Sequence, residues 1–322
     1  MVFDITHAFR SIPLVAIVVL NYVKVLKRAR LKSVVYGAFE ALGSIHEVKA
    51  MPVERRRVRI LDLTPLDQLM DWTIATDRFL ATGNAGYAGA LARQGVTRIL
   101  QVTGGTDDAA QAIRRLGESM INFSTMIFTS RGPEISPKAS QLVERLQAAA
   151  HLNLPRPFRP LFERLEHRLA SFRGSPLEDG LAAVRWCMDH NLVQQGYTML
   201  EEIVFSYVLE QVGGDVLNVS QRLAVSQAFT VVARGWVDEP RKWGEDGRKD
   251  LELTRKMIHF ISAHKGLSKA VALIRERRND LNHAGFSENS LKAERAGRFS
   301  SDLQKALSDV EAVLLKTARG SL

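Results

Sequence analysis

Cysteine is almost absent from this 322-residue chain, since Cys187 is its single instance. One cysteine excludes an internal disulfide and any cysteine-rich zinc site. Long apolar runs are also scarce. Residues 12–20 are apolar, but Asn21 and Lys24 follow within the ~20 residues that a membrane span requires. No basic segment with a small-residue cleavage site opens the chain. We therefore expect a cytoplasmic protein with no membrane span and no targeting segment.

Acidic residues are outnumbered by basic ones, 35 against 44, which gives a formal charge of +9. The excess is concentrated near the N-terminus, because residues 1–62 hold eleven lysines and arginines against five acidic side chains. Such a run is usually a solvated surface, but it also suits an anionic partner. With 46% hydrophobic residues, the chain has the composition of a globular protein of about two domains.

The first 64 residues alternate between strand and helix patterns. Short apolar strands are predicted at residues 2–6, 31–38 and 58–63, and a helix with Pro13 in its first turn at residues 11–25. Apolar strands separated by a helix predict a partial, parallel, Rossmann-like sheet. Three strands are too few for a complete sheet, so the segment is interpreted as the second half of a domain.

Helical periodicity dominates from residue 65 onward. Residues 65–155 are predicted to form a helical connector, and Pro155, Pro157 and Pro160 mark a linker. Residues 156–322 carry successive amphipathic segments and no strand signal, which predicts a helical bundle. The fold class is therefore α+β and mainly α, with domains at 1–64, 65–155 and 156–322.

A first group of candidate site residues lies where the first strand passes into the first helix. Asp4, Thr6, His7, Arg10 and Ser11 lie at the carboxyl end of the strand or just beyond it. Ligands bind at this edge of open parallel sheets, and helix N-termini attract anions. An ordinary strand-to-helix turn, with Asp4 or Thr6 bonded to the backbone, explains the same residues equally well.

A second group lies near the end of a predicted helix at residues 268–283. Arg278 and His283 are five positions apart, and Gly285 is expected to cap the helix. The negative end of the helix dipole favours a protonated histidine, which suits a general acid beside a phosphate-binding arginine. Five steps of ~100° place the two side chains on different faces, so two chains meeting at a twofold axis would make the better site. A chance pairing on a basic helix is the alternative.

At these residues the chain resembles the CRISPR-associated DxTHG family, whose members join a CRISPR-associated Rossmann fold (CARF) domain to a helical HEPN domain. The family motif appears with alanine in place of its glycine. The matching segments lie in order along the chain: Asp4-Ile5-Thr6-His7-Ala8, Tyr36-Gly37-Ala38-Phe39-Glu40, Asp62-Leu63-Thr64-Pro65, Gln195-Gly196-Tyr197-Thr198-Met199-Leu200-Glu201-Glu202 and Arg278-Asn279-Asp280-Leu281-Asn282-His283. The last matches the Arg-x4-His signature of HEPN nucleases.

The resemblance implies a homodimeric endoribonuclease of type III CRISPR defence that cuts single-stranded RNA without a metal or other cofactor. Its allosteric activator would be cyclic oligoadenylate, bound by Asp4, Thr6, His7, Arg10 and Ser11. The RNA 2′-hydroxyl would attack the adjacent phosphate and leave a 2′,3′-cyclic phosphate end. Catalysis would use Arg278 to clamp the phosphate, His283 to transfer a proton and Asn279 to orient His283. Backbone contacts would come from Arg275, Arg277 and Lys292, although solvated charges explain these three as well.

The resemblance also leaves two alternatives open. The strands that precede the Asp-x-Thr-His motif in a complete CARF domain are missing here, and Ala8 replaces the motif's glycine. A catalytically silent RNA-binding or regulatory remnant would fit these departures. A HEPN toxin that needs no activator would fit the shortened first domain.

Overall fold

The computed structural model describes residues 2–4, 12–29, 31–152, 156–286, 290–292 and 295–319. Mainly helical architecture is confirmed. The described chain divides into two compact units, the first from residues 1–75 and 156–158, the second from 76–155 and 159–322. The three-part division predicted from the sequence stays a prediction.

The first unit contains a three-stranded sheet in the order β1 (Val2–Asp4), β2 (Ser33–Gly37), β3 (Ile60–Asp62). Strands β1 and β2 are parallel, with Phe3 opposite Val34. Strand β3 runs antiparallel to β2, with Tyr36 opposite Leu61. The predicted parallel arrangement is therefore confirmed for the first pair and wrong for the second. A sheet of this size does not establish a Rossmann-like domain.

Helix α1 (Ile12–Lys27) connects β1 to β2, and the short helix α2 (Ile45–Ala50) lies between β2 and β3. Ala16 and Leu20 of α1 are buried. Lys24 lies 2.6 Å from Asp67 and 3.0 Å from Asp71, both on helix α3 (Thr64–Thr82). A cavity of about 100 Å³ near Leu20 and Met70 has an almost wholly apolar lining, which does not suit a phosphate ligand.

The second unit begins with antiparallel helix packing that depends on small residues. Helices α4 (Gly86–Val102), α5 (Asp108–Phe128) and α6 (Gly132–Ala150) pack in succession. A Cβ at Gly117 of α5 would lie 2.4 Å from the Ala92 Cβ and 3.3 Å from the Gly89 Cα of α4. The first atom is the only side-chain carbon of Ala92 and the second belongs to the α4 backbone, so neither can rotate out of the way. Glycine is therefore required at position 117 for α5 to pack this closely on α4.

The remaining helices form the bundle that carries the second group of candidate residues. They are α7 (Arg159–Leu169), α8 (Pro176–Asp189), α9 (Val193–Val212), α10 (Val219–Arg234), α11 (Glu245–Lys249), α12 (Leu251–Ala263), α13 (Lys265–Asn282) and α14 (Arg298–Arg319). Helix α9 packs against α8, α10, α12, α13 and α14. Its apolar side chains are therefore buried almost all round, including Tyr197, Leu200 and Val204.

Two details fix α9 and α14 against each other. A Cβ at Gly196 would lie 2.6 Å from the Leu303 Cδ2, and Leu303 is fully buried. Tyr197 donates its hydroxyl hydrogen to the Phe299 carbonyl over 2.7 Å. Within the described ranges, no helix is both long enough and apolar enough to cross a membrane.

Candidate functional site

A buried carboxylate organises the candidate site. Glu201 lies on α9, one position after the buried Leu200, and its side chain is only 2% exposed. The side chain faces α13, where Arg275 and Arg278 are three positions apart and lie on the same face. A carboxylate buried this deeply is costly unless it is paired and hydrogen-bonded. Two arginines supply that pairing.

Each Glu201 oxygen has its own arginine. Oε1 accepts a hydrogen bond from the Arg275 Nε over 2.9 Å. Oε2 forms an ion pair with an Nη atom of Arg278. The cluster of Glu201, Arg275 and Arg278, here called the Glu201 cluster, therefore carries one net positive charge. This surplus charge gives the site an electrostatic preference for an anion.

Arg275 is the structural arginine of the Glu201 cluster. Its other donors bond to the Ser226 carbonyl at 3.0 Å, the Ser226 hydroxyl at 2.8 Å and the Thr230 hydroxyl at 3.3 Å, all on α10. Its guanidinium also lies 5.5 Å and 5.8 Å from the ring centres of Phe205 and Phe229, in cation–π geometry. These contacts occupy most of the N–H donors of the Arg275 guanidinium within the bundle. The contact of Arg275 with RNA stays a prediction.

Arg278 is less completely satisfied. Its side chain is 28% exposed, against 22% for Arg275. Among the described residues, its Nε is buried without a hydrogen-bond partner. Glu201 thus holds one side of the guanidinium, and the exposed part of the side chain is the part that a further acceptor can reach. A guanidinium restrained in this way suits bidentate binding of a phosphate.

His283 is exposed at the end of the same helix. Its backbone N–H bonds to the Asn279 carbonyl over 2.9 Å, so the helical hydrogen-bond pattern continues to this residue. Asn279 is also exposed and lies one turn before His283. The structure therefore places Arg278, Asn279 and His283 in the last turns of one helix, with the imidazole open to solvent. Their catalytic roles stay predictions.

Lys292 is brought back to this helix end by a buried side chain. Asp280 is buried in the last turn of α13, and its Oδ2 accepts a hydrogen bond from the Leu291 backbone N–H over 2.7 Å. This bond fixes the backbone next to Lys292, whose side chain is exposed. Of the three residues predicted to bind RNA, Lys292 is therefore the most open to a ligand.

Arg277 has partners outside the Glu201 cluster. Its Nε donates to Asp302 over 2.7 Å and an Nη donates to Glu276 over 2.6 Å, and the side chain is 12% exposed. Burial by itself would lower the pKa of Arg277, but the hydrogen bond with Asp302 and the charge of Glu276 raise it instead. Arg277 thus connects α13 to α14. These contacts do not test its predicted contact with RNA, which stays a prediction.

The predicted activator-binding residues lie mostly outside the described chain. The residues outside the described ranges are Thr6, His7, Arg10 and Ser11. Asp4 is described only by its backbone, as the last residue of β1. Across the described ranges, no group of three or more histidine, cysteine, aspartate or glutamate side chains is arranged to hold a metal ion.

Glu201 is the residue that the sequence reasoning missed as a site member. It was noted only within the segment that resembles an early HEPN helix. The available signal was its position three or four residues from Tyr197, Val204 and Phe205, which puts it on the apolar face of the helix. A carboxylate at a position that must be buried predicts a cationic partner, although the sequence does not identify which of the many arginines it is.

The fold and site together define a helical bundle in which one helix carries two arginines paired with a buried carboxylate and ends at an exposed histidine. No protein-family model matches the chain. Over 203 residues the chain is 23% identical to a protein of Methanocaldococcus jannaschii named CRISPR-associated protein MJ1674. The match covers 63% of this chain and 28% of that protein, so the matched segment is just over a quarter of the relative's length. The similarity supports a CRISPR-associated relationship.

Proposed function

We propose that this chain is a CRISPR-associated endoribonuclease of the CARF–HEPN kind, which cuts single-stranded RNA at Arg278 and His283 in a homodimer. The observation that carries the proposal is the Glu201 cluster, because it holds a phosphate-binding arginine on the helix that ends at an exposed histidine. The similarity to a CRISPR-associated protein and the Arg-x4-His spacing support the same reading.

The proposed reaction is an internal phosphoryl transfer. The ribose 2′-hydroxyl gives its proton to solvent water as its oxygen forms a bond to the adjacent phosphorus, and the bond from phosphorus to the 5′-oxygen breaks. The products are a 2′,3′-cyclic phosphate and a 5′-hydroxyl. Arg278 stabilises the charge on the phosphate oxygens, and protonated His283 delivers a proton to the departing 5′-oxygen. Asn279 orients the imidazole from one turn earlier.

The placement of the two residues on the helix supports the proposed homodimer. Arg278 and His283 are separated by ~140° around the helix axis. The half-buried guanidinium faces Glu201, while the imidazole is open to solvent. If two copies of this helix end meet at a twofold axis, two arginines and two histidines surround one phosphate. The partner copy therefore completes the site.

Activation by cyclic oligoadenylate belongs to the first unit in this proposal. Asp4, Thr6, His7, Arg10 and Ser11 are the proposed ligand contacts, on the grounds of the motif resemblance and the basic character of residues 1–62. The activator would act as an allosteric ligand, so it would change the rate of RNA cleavage without taking part in it.

The test is an RNA cleavage assay in EDTA, with and without cyclic oligoadenylate. We expect cleavage of labelled single-stranded RNA to 2′,3′-cyclic phosphate ends, and loss of cleavage by at least 10²-fold in His283→Ala, the lower end for general acid catalysis. His259→Ala is the matched control, because His259 is an exposed histidine on α12.

The arms of the assay separate the alternatives. Cleavage that depends on cyclic oligoadenylate supports the full proposal. Cleavage that is independent of it indicates an unregulated toxin. Absence of cleavage by folded wild-type protein in both arms overturns the nuclease proposal and favours the RNA-binding remnant. Equal cleavage by wild type and His283→Ala overturns the assigned site.

A further inference from the structure

Phe286 is the most exposed large apolar residue of the described chain, at 92%. It follows His283 by three positions, on the turn that ends α13. An aromatic ring in water forgoes a large hydrophobic stabilisation, and such rings are enriched where a partner covers them. Because Phe286 lies three positions after His283, a partner that covers its ring would also lie near the candidate site.

The backbone that carries Phe286 is fixed by hydrogen bonds. Gly285 donates its N–H to the Asp280 carbonyl over 3.2 Å, and Phe286 donates its N–H to the His283 carbonyl over 2.9 Å. Ala284 and Gly285 both have positive φ angles, 50° and 79°, which turn the chain away from the helix axis. The backbone of Phe286 is therefore held at a defined place relative to the end of α13.

A cation and an aromatic ring thus lie next to the same helix end. Lys292 is attached there by the bond from Leu291 to Asp280, and Phe286 by the turn at His283. Proteins that bind single-stranded nucleic acid combine basic side chains for the phosphates with aromatic rings on which bases stack. RNA recognition in single strands relies on such stacking because the bases are not paired.

The surroundings of Phe286 favour a base over a protein partner. Its neighbours in the sequence are Asn282, His283, Ala284 and Gly285 before it and Ser287, Glu288 and Asn289 after it, all small or polar. The nearby Leu281 and Leu291 are themselves partly buried in the fold. A stable protein interface buries a large, contiguous surface, whereas a nucleobase can stack on a single aromatic ring. An isolated ring such as Phe286 therefore suits a nucleobase better.

We propose that Phe286 stacks on a nucleobase of the bound single-stranded RNA, next to the phosphate held at the candidate site. The proposal rests on the proposed function, because it assumes that RNA occupies this helix end. Stacking makes little distinction between bases, so Phe286 would add affinity and position the strand without imposing a strict sequence.

The test measures binding of a fluorescent single-stranded 2′-O-methyl RNA, which lacks the attacking hydroxyl and is not cut. We expect Phe286→Ala to weaken binding roughly 5- to 150-fold, the range that corresponds to loss of one stacked base. Phe286→Trp should retain wild-type affinity. Leu217→Ala is the matched control, because Leu217 is also a highly exposed apolar side chain of the second unit.

Salt dependence separates stacking from charge. Phe286→Ala should leave the slope of log affinity against log salt unchanged, because a stacked ring releases no counterions. Lys292→Ala should reduce the magnitude of the slope by about 0.7. A 2-aminopurine base placed along the strand should lose fluorescence on binding to wild type and retain it with Phe286→Ala.

The outcomes distinguish this proposal from the proposed function. Wild-type affinity in Phe286→Ala, with RNA cleaved normally, overturns stacking alone. Binding that depends on Phe286, with no cleavage of unmodified RNA, supports stacking and overturns the nuclease. Loss of binding together with a lower oligomeric mass in sedimentation shows that the ring contacts a second copy, and overturns the proposal. Absence of RNA binding by wild type overturns both.

Discussion

At the residue scale, the two arginines that share Glu201 differ in what else they contact. Arg275 is bonded to α10 and lies against two phenylalanine rings, whereas Arg278 retains an unpartnered Nε within the described chain. The same carboxylate thus anchors one guanidinium in the core and restrains the other at the surface. In the proposed mechanism Glu201 is therefore a positioning residue for Arg278, since it would act on the phosphate only through that side chain.

Glu201→Gln tests this positioning role. The amide keeps the shape but removes the charge that pairs with two arginines, so the free energy of unfolding should fall by roughly 1.5–3 kcal/mol, the range for a charged hydrogen bond. RNA cleavage by the folded variant should also fall, because Arg278 loses its restraint. Urea unfolding and the cleavage rate below the unfolding transition measure the two effects.

Glu202→Gln is the control for that variant. Glu202 lies next to Glu201 and pairs with Arg222, outside the Glu201 cluster. Its substitution should leave the cleavage rate of folded protein unchanged. Equal loss of cleavage in both variants, or full cleavage in Glu201→Gln, would show that Glu201 only supports the fold.

Cys187 provides a second prediction at this scale. Burial raises the pKa of its thiol to about 12, so almost no thiolate forms at neutral pH. Alkylation of the native protein should therefore occur only when the bundle unfolds, and its rate should increase with urea in parallel with global unfolding. Mass spectrometry after timed alkylation measures this. Rapid labelling in native buffer would contradict the burial.

At the element scale, helix packing is determined by a few close approaches. Gly117 allows α5 to lie against α4 because the nearest atoms belong to Ala92 and to the Gly89 backbone. Gly95 is also on α4, but a Cβ there would meet no described atom within 4 Å. Both glycines therefore lie within α-helices, but only Gly117 is in close contact with a neighbouring helix.

Gly117→Ala should destabilise the protein by about 1–3 kcal/mol, as expected for overpacking against atoms that do not move aside. Gly95→Ala should instead stabilise it by up to about 1 kcal/mol, because alanine has the higher helix propensity. Thermal unfolding followed by circular dichroism compares the two. A stabilised Gly117→Ala variant would show that α4 and α5 are more loosely packed than described.

The limits of sequence reasoning are visible in individual elements. The helical character predicted for residues 156–322 is confirmed at α9, which Gly213 ends with a φ of 75°. Helix α4 continues to Val102 although Gly95 and the β-branched Val96 and Thr97 weaken the helical signal within it. Strand β3 was assigned the wrong direction because the path of the chain between β2 and β3 decides it.

The candidate site was predictable to a similar extent. Arg278 and His283 were predicted from their spacing and Asn279 from the family resemblance, and their roles stay predictions; the structure places Arg278 and Asn279 near the end of α13 and His283 at its C-terminal cap. The Glu201 cluster was not predictable, because Glu201 and Arg278 are far apart in sequence and only packing of α9 on α13 joins them. Side chains that meet through tertiary packing leave no periodic signal.

At the scale of the whole molecule, the proposed active site requires two copies. Mixing Arg278→Ala with His283→Ala tests this, because a mixed dimer retains one arginine and one histidine at its twofold axis. We expect each variant alone to be inactive and the mixture to recover part of the wild-type cleavage. Native mass spectrometry verifies that mixed dimers are present. Inactivity of a verified mixed dimer would contradict a shared site.

Pairing of one carboxylate with two arginines also bears on how the chain tolerates mutation. If Arg278 is lost, Arg275 still neutralises Glu201, so the buried charge keeps a partner and the bundle keeps its shape. Loss of Arg275 would also leave Glu201 one arginine, Arg278, but it would remove the hydrogen bonds that join α13 to α10. A substitution at Arg278 is therefore expected to remove the proposed cleavage activity while the bundle stays folded.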